Sequence, residues 1–307
     1  MSPASTPVRL DAAEDFVRRE ARLIDVRRFE RAFAGGDDAS VRAALDAYRN
    51  ADGGYAGLLE PDLRTTRSQP QAAELALRVH DELGGVPRDV AAALCDWLAT
   101  VTAPGGGVPF GHPSARDHPA APHWHADDGR CGSLNPTAAI VGLLHRSGIR
   151  HAWLDEATAF CWRAVGADGS GAPPAEQLDL YSVRAALWLL DPAVPAAPDP
   201  AALRTRLAAG VREHVALDPA LTAPGAPGHH IGPIEVAPYP GDPGRALLPA
   251  AAVDAALDAL AARQRPDGGW EVNFPPISAG ALAEWRGFAT VGALLVLREA
   301  GRLPAAG

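Results

Sequence analysis

Apolar residues recur along most of this chain at the three-and-four spacing of amphipathic helices. Residues 11–34 place Phe16, Leu23, Ile24, Phe29 and Phe33 among arginines and acids and stop at Gly35-Gly36, which predicts one helix. A second, striped helix is expected over 39–49. The run 69–84 sets Ala72, Leu75, Ala76, Val79 and Leu83 on one side and closes at Gly84-Gly85. Ser68 and Gln71 suit a capping box at its start, with Pro70 where no intrahelical N–H is needed. Further helices are expected over 88–101, 137–147, 153–165, 178–190, 200–217, 249–263 and 284–300. Asn135 is expected to cap the helix at 137, with Pro136 at its first position. Two stretches lack the pattern, 111–134 and the Pro- and Gly-rich 218–248, and both are assigned as loop. No segment of useful length alternates with the period of a strand.

The helices near 137, 180 and 287 have almost no polar face, whereas those near 40, 200 and 250 have a clear one. A helix apolar all round must be buried, and a striped one lies at a surface. Their alternation predicts an all-α fold of about 10–12 helices in two concentric antiparallel rings, an α/α toroid, as a single domain over residues 1–307. Four helix starts resemble one another: SQPQAAELALRVHDELG, SLNPTAAIVGLLHRSG, LDLYSVRAALWLLD and RGFATVGALLVLREAG. Their unequal spacing suggests that one copy is lost between 200 and 250.

Two glycine turns precede such starts. Asn50-x-Asp52-Gly53-Gly54-Tyr55 resembles the repeat of protein prenyltransferase β-subunits. Gln264-x-x-Asp267-Gly268-Gly269-Trp270 resembles the QW-type repeat of squalene–hopene cyclases. Pro104-Gly-Gly-Gly107 before Val108-Pro-Phe110 reads as a degraded copy. The resemblance implies an α/α toroid with an apolar central cavity for isoprenoid chains. Its catalytic motifs do not carry over. The chain has no Asp-x-Asp-Asp acid motif of class II cyclases and no aspartate-rich magnesium motif of class I cyclases. Nor does it match the Asp, Cys and His zinc set of the prenyltransferases.

Composition narrows the chemistry. The 28 basic residues are all arginine, as a GC-rich bacterial genome would give, so Schiff-base and P-loop lysine chemistry is excluded. A net charge of −9 argues against nucleic acid as a partner. Cys95, Cys131 and Cys161 are widely spaced and suit reduced thiols in a cytoplasmic protein. No apolar run long enough to cross a membrane and no signal peptide are expected. A homodimer is left open.

In toroids of the resembled families the N-termini of inner helices line the cavity mouth, where helix dipoles favour anions. The resemblance thus places Glu60, Asp62, Arg64, Gln69, Asn135, Asp179, Tyr181, Glu284 and Arg286 at one rim. Asp62, Glu60 and Asp179 are the candidate catalytic groups. Arg64, Gln69, Tyr181, Trp124, Trp285 and Arg286 are the candidate substrate contacts. The plainer roles are a salt bridge of Glu60 or Asp62 with Arg64, and a helix cap for Asp179. Leu58, Leu59 and Leu63 suggest a loop buried on one side. Asp62 is favoured as the proton donor and Glu60 as the partner of an arginine. His123, His125, Asp127, Asp128 and Cys131 crowd one loop without zinc-site spacing, so no metal and no cofactor are assigned. Arg184 stands alone in an apolar helix and needs an anionic partner: Glu176, a loop acid or a ligand phosphate.

Together these point to a terpene-cyclase-like enzyme acting on an apolar isoprenoid- or polyene-like molecule by acid–base catalysis. The second reading is a non-catalytic toroid that holds a lipid or isoprenoid or packs against a partner. Carbohydrate processing would need several aromatic platforms and paired carboxyls across a groove.

Overall fold

The structure, a computed structural model, describes residues 8–126, 128–172, 174–175 and 177–303. Its helices, in chain order, are α1 (Leu10–Glu20), α2 (Leu23–Phe33), α3 (Asp38–Asp46), α4 (Pro70–Glu82), α5 (Arg88–Val101), α6 (Pro122–Ala126), α7 (Leu134–Arg146), α8 (Ala152–Val165), α9 (Leu180–Ala186), α10 (Pro200–His214), α11 (Pro233–Val236), α12 (Ala250–Ala262) and α13 (Ala279–Glu299). Among the described residues β-structure is limited to three isolated bridges. The expected all-α class is therefore what the chain adopts.

The chain forms two compact units, residues 48–214 and residues 1–47 with 215–307. In the unit 48–214, α7 is the hub, packed against α4, α8 and α9. Ten of its residues, Leu134 and Pro136 through Leu144, are buried, as a helix without a polar face requires. Beyond it, α8 packs in turn against α5 and α10, and α10 against α9. Gly142 permits the close approach of α7 to the 3-10 turn Leu187–Leu190 that follows α9, since a Cβ there would lie 2.6 Å from Trp188 Cβ.

In the other unit α13 is the hub, with α1, α2 and α12 against it. By length and composition it is the one described helix able to cross a membrane, and half of its apolar window is buried inside the unit. It begins at Ala279, earlier than the expected 284, because Ser278 caps it by accepting from Ala281 N–H at 3.1 Å.

Other boundaries differ from expectation for local reasons. The single helix expected over 11–34 is two, broken by extended backbone at Ala21 and Arg22. Here α13 comes so close that a Cβ on Gly287 would lie 2.6 Å from Ala21 Cβ. The break lets α1 and α2 pack on each other and both on α13. It is held by fully buried Asp25, which takes Arg22 at 2.8 Å and Arg28 at 3.1 Å. The capping box at α4 does not form. Ser68 Oγ donates to Asp52 Oδ1 at 2.8 Å, Gln71 Nε2 donates to Asn135 Oδ1 at 3.2 Å, and Gln69 is the cap position. Residues 218–248, expected as loop, hold the four-residue α11 at the place of the lost repeat.

Candidate functional site

The site rests on the glycine turns. Three of them make the same two backbone hydrogen bonds. Asn50 N–H donates to Gly54 O and Gly53 N–H to Asn50 O; Ala103 and Arg265 open identical pairs with Gly107 and Gly106, and with Gly269 and Gly268. Gly53, Gly106 and Gly268 sit at φ of +89°, +93° and +95°, which side chains resist. The residue after two of the turns docks on a threonine of a hub helix: Val108 N–H donates to Thr137 Oγ1 at 2.9 Å, and Trp270 N–H to Thr290 Oγ1 at 3.0 Å. The 103–107 turn is therefore a full third copy in its backbone. Tyr55 and Trp270 are buried and bonded within the fold, to His80 Nε2 at 3.1 Å and to Leu260 O at 2.8 Å.

From the first turn the chain runs into residues 56–69, a narrow loop closed by Gly57 N–H on Arg67 O and Leu58 N–H on Thr65 O. Leu59 and Leu63 are buried, and Leu58 half-buried, so the leucines anchor one side. Glu60 and Asp62 are buried with them, at 9% and 5% exposure. Arg64 is half-buried. The loop is zipped to the segment before α6. Ala121 N–H donates to Asp62 O and Arg64 N–H to Pro119 O, each at 2.9 Å. On that segment Trp124 is buried and stacks on Phe110, rings 4.8 Å apart and 5° from parallel. Its indole Nε1 is buried without a partner. The stretch 111–134, expected as open loop, is thereby tied to the residues of interest. Gln69 completes the tie: its Nε2 donates to Ser114 Oγ at 2.8 Å and its Oε1 accepts from His112 N–H at 3.2 Å.

Helix α9 brings the second half. Asp179 is exposed and caps the helix by accepting from Ser182 N–H at 2.7 Å, the plainer of its two expected roles. Tyr181, in the first turn, is 37% exposed. Burial of its phenol, together with the charges of Glu60 and Asp179, raises its pKa against the pull of Arg184. One turn on, Arg184 is half-buried with Nε sealed and unpartnered. Burial lowers its pKa, and Arg78 adds to this, while Glu74, Tyr181 and Glu60 act the other way. Glu74 and Arg78, both on α4, are paired at 2.6 Å. A turn beyond Arg184, Trp188 is covered by Arg78 at 5.4 Å and Arg146 at 4.6 Å. Arg146 also joins Asp81 at 3.1 Å and Asp191 at 2.7 Å, fastening α4, α7 and the residues after α9.

Within the unit 48–214, Glu60, the Tyr181 phenol and the Glu74–Arg78 pair all act electrostatically on Arg184. Glu74 and Arg78 were missed in the sequence, although an acid–base pair at i,i+4 in so apolar a helix is a visible signal. Trp285 and Arg286 belong to the other unit. Arg286 closes its glycine turn, holding Asp267 through both oxygens at 3.0 and 2.8 Å and lying over the Phe16 ring at 4.6 Å. Trp285 packs edge-on to Phe274 and Phe288, with Nε1 buried and unpartnered.

In the histidine-rich loop, His125 bonds His118 O at 3.2 Å and Asp128 accepts from Arg130 N–H at 3.0 Å; Asp127 lies outside the described residues. Among the described residues no three His, Cys, Asp or Glu side chains converge to hold a metal. No protein-family model matches the chain, and no curated protein matches it.

Proposed function

We propose that the protein is a terpene-cyclase-like enzyme that transforms an apolar, isoprenoid- or polyene-like molecule by acid–base catalysis. The packing of α4 and α9 on the apolar α7, with α5 and α10 on α8, supports reading the repeat as an arc of an α/α toroid. The observation that carries the function is the burial of two carboxyls, Glu60 and Asp62, on a leucine-anchored loop, with Glu60 in the field of Tyr181 and Arg184. A group that protonates an alkene, epoxide or carbonyl must be held away from water, or water takes the proton and quenches the cation. In this reading Glu60 is the carboxylate facing Arg184, and Asp62 is the proton donor. Asp62 gives its proton to the substrate, the cation rearranges, and Glu60 accepts a proton from carbon, which leaves the product neutral; exchange with solvent after product release takes the proton from Glu60 and returns one to Asp62, closing the cycle.

Replacement of Asp62 by Asn keeps the shape and removes the acid. With a bound small molecule identified by mass spectrometry as substrate, Asp62→Asn is expected to retain binding and thermal stability and to lose turnover by about a hundredfold or more. Unfolding of the variant, or unchanged turnover, would assign the loop a structural role. A holding role for the same site is supported by the number of polar groups committed to the framework, Gln69 and Asp179 among them. That role predicts binding with no turnover in the wild type.

A further inference from the structure

A serine and a histidine in the stretch before α6 have hydrogen bonds that are fixed proton by proton. His112 precedes the 3-10 turn Pro113–Ala115 and caps it, its Nδ1 accepting Ser114 N–H at 3.3 Å. A backbone N–H only donates, so Nδ1 is the bare nitrogen of the ring and the proton of the neutral imidazole sits on Nε2. The Ser114 hydroxyl, with Oγ 2.8 Å from the same Nδ1, must then donate to it. The other side is fixed in the same way. His112 N–H donates to Gln69 Oε1 at 3.2 Å, which turns the amide so that Nε2 donates to Ser114 Oγ at 2.8 Å. A cap needs only the backbone contact; the shorter bond from hydroxyl to imidazole is additional. From this geometry we infer that Ser114 is a nucleophile with His112 as its general base, and that it takes the acyl group of a carboxylic ester.

The surroundings suit the chemistry. His112 and Ser114 are both half-buried. Burial lowers the His112 pKa, and no charged group among the described residues opposes it. The ring is therefore neutral and able to take a proton at pH 7. Gln69 is 1% exposed and its own N–H is held by Tyr55 O, so its amide is a fixed support for the hydroxyl. In the first step the Oγ–H proton passes to His112 Nδ1 as Oγ bonds to the ester carbonyl carbon. Collapse of the tetrahedral adduct breaks the C–O bond to the alcohol, which leaves with the proton from His112. Water then adds to the acyl-serine and gives a proton to His112, and that proton returns to Oγ as the acid departs. The balance is ester and water to acid and alcohol, with no oxidant or reductant. This chemistry is separate from the protonation assigned to Asp62.

The test uses the full chain and two probes. A fluorophosphonate is expected to label Ser114, located by peptide mapping, and Ser114→Ala to remove the label. The labelling rate should rise with pH through the titration of His112, half-maximal below about pH 6.5, and then level off. A serine without a base reacts in proportion to hydroxide instead. His112→Asn separates base from cap, because the asparagine Oδ1 can accept Ser114 N–H and takes no proton near neutral pH. This variant is expected to melt with the wild type and to label about a hundredfold more slowly. The second probe is p-nitrophenyl acetate, used in a Cys131→Ser background that removes the exposed thiol. Acid quenching should trap acetyl on Ser114, and nitrophenol release should continue past one equivalent. Label elsewhere or nowhere, a rate proportional to hydroxide, a rate unchanged in His112→Asn, or acetyl that never leaves Ser114 overturns the inference. The mapping and the pH profile of the wild type decide the matter if a variant fails to fold.

Discussion

Placing a single methyl group on each of three glycines separates the cost of backbone conformation from the cost of contact. Gly105, Gly106 and Gly53 all have φ near +90°, at +91°, +93° and +89°. A Cβ on Gly105 meets nothing within 4 Å, one on Gly106 would lie 3.0 Å from Phe160 Cβ, and one on Gly53 would lie 2.3 Å from the Ala93 carbonyl oxygen of α5. Sparsely populated backbone costs about 1–3 kcal/mol, and alanine recovers about 0.4–1 kcal/mol by restricting the unfolded chain. Gly105→Ala is therefore expected to destabilise by about 1 kcal/mol. Phe160 can yield a little, so Gly106→Ala should cost somewhat more. At Gly53 the obstacle is backbone, and overpacking adds about 1–3 kcal/mol to the same conformational cost. The unit 48–214 should then melt lower for Gly53→Ala than for Gly105→Ala by roughly 2–12 °C, at about 2–4 °C per kcal/mol. Far-ultraviolet circular dichroism against temperature and urea reads this directly. Equal destabilisation by all three variants would refute the claim that the first glycine turn is seated on α5.

Burial also makes two imidazoles pH-sensitive. It pushes the pKa values of His112 and His145 below the ordinary value; at His145, Asp155 and Asp191 oppose it and Arg150 adds to it. Their contribution to stability is then complete above about pH 6.5 and is lost as pH falls through the folded-state values. The melting temperature should fall between about pH 7 and pH 5, and His145→Gln should flatten the profile; a wild-type profile level across that window would contradict this. Thiol titration gives an independent check. Cys131 is exposed, Cys161 buried, and burial, with Asp96 adding, drives the Cys95 thiol up to about 12. One thiol should react rapidly in the native protein and all three in urea; prompt reaction of Cys95 in the native state would show that α5 is not packed as described.

Periodicity made the all-helical class legible in the residue pattern. The hub helices α7 and α13 are two of the three expected to lack a polar face, α9 being the third, and both Gly-Gly turns with their aromatic residues were visible as motifs. The third turn was legible only as a degraded copy, because Val108 stands where the others have Tyr55 and Trp270. What periodicity could not show are ties between residues far apart in sequence. Gln69 looked available for a ligand and is held by His112 and Ser114; Arg286 looked like a rim residue and is held by Asp267. The pairing of residues 62–64 with 119–121 is likewise set by backbone hydrogen bonds that leave no trace in side-chain pattern. Arg184 was conspicuous as a lone charge in an apolar helix. Its surroundings, Glu60 from a loop and Glu74 and Arg78 from α4, became visible only when α4 and α9 were seen packed on α7.

The location of the site is tested most directly by photoaffinity labelling with a diazirine-bearing farnesol analogue, followed by peptide mapping. The account predicts label on residues 58–64, 119–126 and 180–188, removed by excess farnesol. Label confined to residues 215–303, or label that farnesol does not displace, would contradict it.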